Sequence, residues 1–263
     1  MEKLKKLIKL FLIYTSVPLR IILVVLIMII GIAIIKKTKQ ECNIITIMLS
    51  AFKMMLYIMS YNINISDSDY KKYMNYLYSD EKFICVFNHS TLIDGHLLFT
   101  IFPRMGITLF KQKVLDYINC DDNFNKKIGG IFVDMKKNTN VTNKIKDIVL
   151  NRENGDPILF IAPSACQPPN DKNNISKFIK TGAFVIKCKI LPILIKFEDD
   201  SLHYNYDNKE SISHAYFKLF LVNNYKINIK VGDMIEPIKE ESIIQYRDRV
   251  YNIMNEQYKD MKY

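Results

Sequence analysis

The chain has 263 residues, is 49% hydrophobic and 24% charged, and carries a formal net charge of +10, which suits one sizeable domain, or one domain with an appendage, around a buried core. Five scattered cysteines (Cys42, Cys85, Cys120, Cys166 and Cys188) show no C-x-x-C spacing, arguing against a disulfide framework and against a zinc site. The basic balance suits an anionic membrane surface, acidic substrates or nucleic acid, but charge alone is thin support for nucleic acid because the lysines are spread along the chain.

Lys3, Lys5, Lys6 and Lys9 precede an apolar stretch from Leu10 to Ile35, broken by Thr15, Ser16, Pro18 and Arg20. Ile21–Ile35 has no polar side chain, and Lys36 and Lys37 close it. A spanning helix needs about 20 apolar residues, so the stretch is long enough to span or to re-enter. Lysines at both ends give no orientation. Nothing before the closing lysines resembles a cleavage site, so an anchor is expected rather than a signal peptide. Ile44–Tyr61 is Met-rich with one charge, Lys53. It reads as a helix lying in the membrane interface or packed on the first segment. The chain thus divides into an anchor, 1–61, and a domain, 62–263.

Residues 62–82 read as a short helix and a loop. Beyond them the pattern alternates. Strands are expected at Phe83–Phe87, Ile107–Phe110, Ile131–Val133, Pro157–Ala162, Ile190–Phe197, His203–Tyr206 and Lys226–Val231. Helices are expected at Leu92–Phe102, Thr142–Asn151, from Gly182 to Lys187, and at Ile243–Met261. The fold class is α/β: a largely parallel mixed sheet flanked by helices, with membrane-embedded helices at the N-terminus.

The first strand ends in Asn88-His89-Ser90-Thr91-Leu92-Ile93-Asp94. A strand-to-helix turn lies at the carboxyl edge of the sheet, where active sites of open α/β sheets collect. Five helical residues turn through about 500°, so His89 and Asp94 meet only if His89 precedes the helix proper. Ser90 or Thr91 would then cap it. Asp94 can hold one imidazole nitrogen, leaving the other as a general base. A metal reading through His89, Asp94 and His96 is weaker, because no further His/Cys cluster supplies ligands.

This block resembles the N-H-x-x-x-x-D motif of the glycerolipid acyltransferases, which include the lysophosphatidate acyltransferases. Gly129-Gly130-Ile131-Phe132-Val133-Asp134-Met135 resembles the family's G-x-x-F-x-x-R block. Pro163-Ser164-Ala165-Cys166-Gln167 stands where the family has P-E-G-T-R. Lys180-Thr181-Gly182-Ala183 and Leu191-Pro192-Ile193 resemble the fourth block. The likeness covers residues 80–200.

The resemblance implies direct acyl transfer, with His89 and Asp94 catalytic and no covalent acyl-enzyme. It also implies substrate contacts from Asn88, Ser90, Gly129, Gly130, Phe132, Pro163, Ser164 and Gln167. No cofactor or metal is implied; acyl-CoA or an acyl carrier protein is the co-substrate, and the acceptor is a lysophospholipid. The partners are membrane lipids and these substrates, with no nucleic acid. The chain is placed at a membrane, with its active-site domain on the cytosolic face. The departures fall where the family binds the acceptor's phosphate: Met135 replaces one arginine and Gln167 another. Neither makes a guanidinium's bidentate contact. Lys136, Lys137, Lys172 and Lys177 lie near enough in sequence to supply charge. The rewritten third block leaves a second reading, a catalytically silent relative that binds lipids or shapes membranes. Cys166 has no visible histidine partner that would make it a nucleophile.

Overall fold

A computed structural model describes residues 2–37, 41–111, 131–133, 141–164, 173–198, 202–204, 211–221 and 225–262. Helix α1 (Glu2–Lys37) runs through Pro18 and is followed by α2 (Glu41–Ile58). Strand β1 (Tyr61–Ile65) leads into α3 (Asp67–Leu77), then β2 (Phe83–Phe87), α4 (Asp94–Ile101), β3 (Met105–Lys111) and β4 (Ile131–Val133). Next come α5 (Val141–Leu150), β5 (Ile158–Ile161), β6 (Lys189–Phe197), α6 (Ile212–Leu221), β7 (Tyr225–Val231) and α7 (Ile243–Lys259).

The seven strands form one sheet in the order β1-β7-β6-β2-β5-β3-β4. Among the described residues, β6 and β7 pair antiparallel and the other neighbouring strands pair parallel. The expected mostly parallel α/β sheet is therefore the one found. Its centre explains the sequence: every residue of β2 and β5 is buried, as a parallel strand covered on both faces requires. Alternate residues then serve two cores. Phe83, Cys85 and Phe87 face the core shared with α1, α2, α3, α4 and α6. Ile84 and Val86 face the one filled by α5 and α7. On α7, Tyr246, Val250, Met254 and Tyr258 recur every fourth residue to form the buried stripe. Ser242 and Gln245 close a capping box that starts it.

Val17 and Val24 of α1, and Met55 and Leu56 of α2, belong to the same core as β2 and β6. Ile21 and Met28 pack against it, and Gly31 lies near Ala51. Positions 17, 21, 24, 28 and 31 form a seam spaced alternately by four and three residues, the pattern of helices packed side by side. Within α1, Ser16–Ile34 is long and apolar enough to cross a membrane.

Three expected elements need correction, and one helix is additional. Tyr61–Ile65 is a strand rather than the end of a helix and a loop; its edge pairing to β7 supplies the missing partner. Gly182–Lys187 is a run of turns, not a helix start. Its bonds are Phe184 N–H to Thr181 O and Lys187 N–H to Phe184 O, and Lys187 has φ 45°, which stops any helix. No strand forms at 202–204, where Leu202, His203 and Tyr204 are all buried instead of alternating; residues 205 and 206 lie outside the described ones. Helix α6, which no sequence pattern announced, supplies Leu219 and Phe220 to the first core.

Candidate active site

β2 delivers the motif. Its last residue, Phe87, pairs with Ile193 of β6, and the chain then leaves the carboxyl edge of the sheet. Asn88 pins that exit: its Nδ2 donates to Ile195 O at 2.8 Å and its Oδ1 accepts from Ile195 N–H at 2.7 Å. Both ends of a buried amide are used on the backbone of β6. Asn88, expected to contact substrate, therefore holds the turn in place.

His89 follows, before the helix, as the spacing required. Its Nδ1 lies 3.0 Å from Asp94 Oδ2. The imidazole is 26% exposed and the carboxylate 0%. Asp94 opens α4 and gathers the whole turn. Its Oδ2 also accepts from Ser90 N–H at 2.7 Å and Thr91 N–H at 2.9 Å, and its Oδ1 accepts from Thr91 Oγ. A carboxylate is an acceptor only, so the Nδ1 facing it carries a proton, and in the neutral ring Nε2 is the basic nitrogen. Ser90 and Thr91 do not cap α4: its N-cap is Ile93, without a side-chain bond, because Asp94 has drawn both amides and the hydroxyl to itself. Those two N–H groups are thereby committed to Asp94.

Two distant segments close on this turn. After β5, Pro163 and the buried Ser164 arrive beside it, with Ser164 Oγ donating to the His89 carbonyl at 3.4 Å. Pro163 O accepts from Ile179 and Lys180 N–H, which draws the 175–180 segment to the same edge. On the other side, Tyr204 N–H donates to Ser90 O at 2.8 Å. The 202–204 segment was not legible as part of the site, because nothing local signals a contact across more than a hundred residues. Phe132 lies in β4, paired with Phe110 of β3, in the same sheet as β2. Gly129, Gly130, Met135 and Gln167 lie outside the described residues, as do Ala165, Cys166, Lys136, Lys137 and Lys172.

His96 sits two residues after Asp94. Its ring packs edge-on against Phe52 of α2, centroids 4.6 Å apart. Burial pushes its pKa down to about 4, against the pull of the Leu92 carbonyl and Asp94. It belongs to the α2–α4 contact. Among the described residues no group of three or more His, Cys, Asp or Glu side chains is placed to hold a metal ion.

Residues 69–196, from the first turn of α3 to the end of β6, match the family model described as Acyltransferase. No curated protein matches in sequence. Among solved structures, the fold is similar to the 1-acyl-sn-glycerophosphate (LPA) acyltransferase PlsC from Thermotoga maritima, with a TM-score of 0.59 and 13% identity over 99% of this chain and 97% of that one. The matched segment holds the His89–Asp94 turn, the strand that presents it and the segment after β5 that closes on it. Residues 69–196 thus carry the match to the Acyltransferase family, and the chain as a whole has a fold similar to that of the PlsC structure.

Proposed function

We propose that the protein moves a fatty acyl group from an acyl thioester to a hydroxyl of a lysophospholipid at a membrane surface. The observation that carries this reading is the 3.0 Å contact between His89 Nδ1 and a fully buried Asp94 in an acyltransferase-family domain. The acceptor's oxygen attacks the thioester carbonyl carbon as His89 Nε2 takes its proton. The tetrahedral intermediate collapses, the C–S bond breaks, and the proton passes from the imidazolium to the departing thiolate sulfur. Asp94 fixes the tautomer and stabilises the imidazolium. Its own charge is steadied by the turn's donors, so it need not move. Acyl-CoA or an acyl carrier protein is the donor, with no metal or cofactor. Helix α1 attaches the protein to the membrane and brings the site to the lipid that holds both acyl chains.

Two substitutions bear on the acceptor. Met135 and Gln167 replace the family's arginines, so lysophosphatidate is not the preferred acceptor, and a lysolipid with a larger or less charged head group is. Met135→Arg or Gln167→Arg shifts preference toward lysophosphatidate, at most about 10- to 150-fold for one charge-assisted bond of roughly 1.5–3 kcal/mol. The test is transfer of labelled acyl from acyl-CoA to a panel of lysophospholipids by the full-length protein. Transfer to none of them would favour the silent lipid-binding relative. A strong preference for lysophosphatidate would mean that nearby lysines replace the arginines.

A further inference from the structure

One face of the sheet carries three helices with exposed apolar side chains: α1, α2 and α6. Helix α6 packs on the sheet through Leu219 and Phe220 and touches α1. It leaves Phe217 43% exposed, and on α2 Tyr57 is 84% exposed. Apolar surface gathered in this way marks an interaction site. The same helix also reaches the catalytic turn. Lys218 Nζ donates to His203 O at 3.2 Å, and the next residue's amide, Tyr204 N–H, donates to Ser90 O at 2.8 Å.

We propose that α6 is a second lipid-contacting element: Phe217 enters the acyl region of the bilayer that receives α1, and Lys218, through the 202–204 segment, holds the catalytic turn at the lipid surface. The occupant is a bilayer rather than a protein because α6 lies against α1, whose Ser16–Ile34 stretch is long and apolar enough to cross a membrane. The chain's charge of +10 suits an anionic lipid surface. A helix seated in this way buries its apolar side chains at the headgroup–acyl boundary while its lysine keeps a polar partner. The inference rests on the membrane attachment proposed above and adds which other element meets the lipid.

The chain contains no tryptophan, so a single introduced one reports its own surroundings. Full-length Phe217→Trp, Leu26→Trp (on α1) and Ile244→Trp (on α7, across the sheet) are reconstituted into vesicles of phosphatidylcholine and phosphatidylglycerol, with and without brominated acyl chains. Brominated lipid is expected to remove most of the emission from the first two and little from the third. Quenching of Leu26→Trp without quenching of Phe217→Trp overturns the α6 proposal and leaves the attachment standing. Quenching of neither overturns both. Equal quenching of Phe217→Trp and Ile244→Trp overturns the one-sided seat. Lys218→Met, combined with Phe217→Trp, is expected to lower transfer several-fold with the quenching unchanged; full activity in that variant overturns the link to the catalytic turn.

Discussion

Asp94 holds together more of the turn than its partner histidine does, because His89, Ser90 and Thr91 all converge on its two oxygens. His89→Ala is expected to reduce transfer by about 10²–10⁴, with the fold and membrane binding retained, since a quarter-exposed ring carries little of the core. Asp94→Asn loses activity and some stability together: its NH₂ group would face donors where an oxygen accepted them. Initial rates with labelled acyl-CoA, beside urea midpoints for each variant, separate the two effects. His96 gives a pH signature of its own. Above its ordinary pKa of 6.5 it is neutral folded or unfolded. As pH falls from 6.5 toward about 4, the unfolded chain binds a proton that the folded one resists, so stability declines. Below that the loss levels off. The urea midpoint should therefore drop across this window, and His96→Phe should flatten the drop.

The elements around the site are tied by buried polar side chains as well as by apolar packing. Arg152, after α5, donates to the carbonyls of Leu77, Ser79 and Glu81 and lies over the Phe83 ring, 5.2 Å from its centroid. It thereby satisfies carbonyls at the end of α3 and in the loop entering β2. Arg152→Met is expected to destabilise the domain by roughly 1.5–3 kcal/mol, the worth of bonds to a charged donor, as read from the urea midpoint. Little change would mean that water replaces the guanidinium. Lys196 plays a similar part at the other end, donating to the carbonyls of Tyr258 and Met261 where α7 ends. Such ties leave faint traces in sequence: Arg152 and Lys196 look like any surface cation until the strands place them. β2 was legible because five apolar residues have one use in a parallel sheet. β1, with alternating asparagines, was not, because an edge strand is defined by its neighbour.

At the scale of the molecule, the N-terminal helices are part of the core. Val17, Val24, Met55 and Leu56 pack with the residues of β2 and β6 that face them. A chain lacking residues 1–58 keeps β1 but opens that side of the core. It is expected to aggregate rather than to be released as a monomer, as sedimentation without detergent would show. A well-behaved monomer of residues 59–263 would instead establish the division near residue 61 as a real domain boundary.

The sequence by itself determined the α/β class, the strand that carries His89, and the requirement that His89 precede the helix opened by Asp94. Each rests on local pattern: apolar runs, helical pitch and the order of motifs. Tertiary structure alone decided that Asn88 clamps β2 to β6, that Asp94 takes up the amides of Ser90 and Thr91, and that Ser164 and Tyr204 close on the same turn from opposite sides. These partners come from different strands or from the turn's own fold. Hydrogen bonds form between whatever groups the sheet order brings within about 3 Å, and that order, with β2 between β5 and β6, is set by global packing and not by neighbours in the chain.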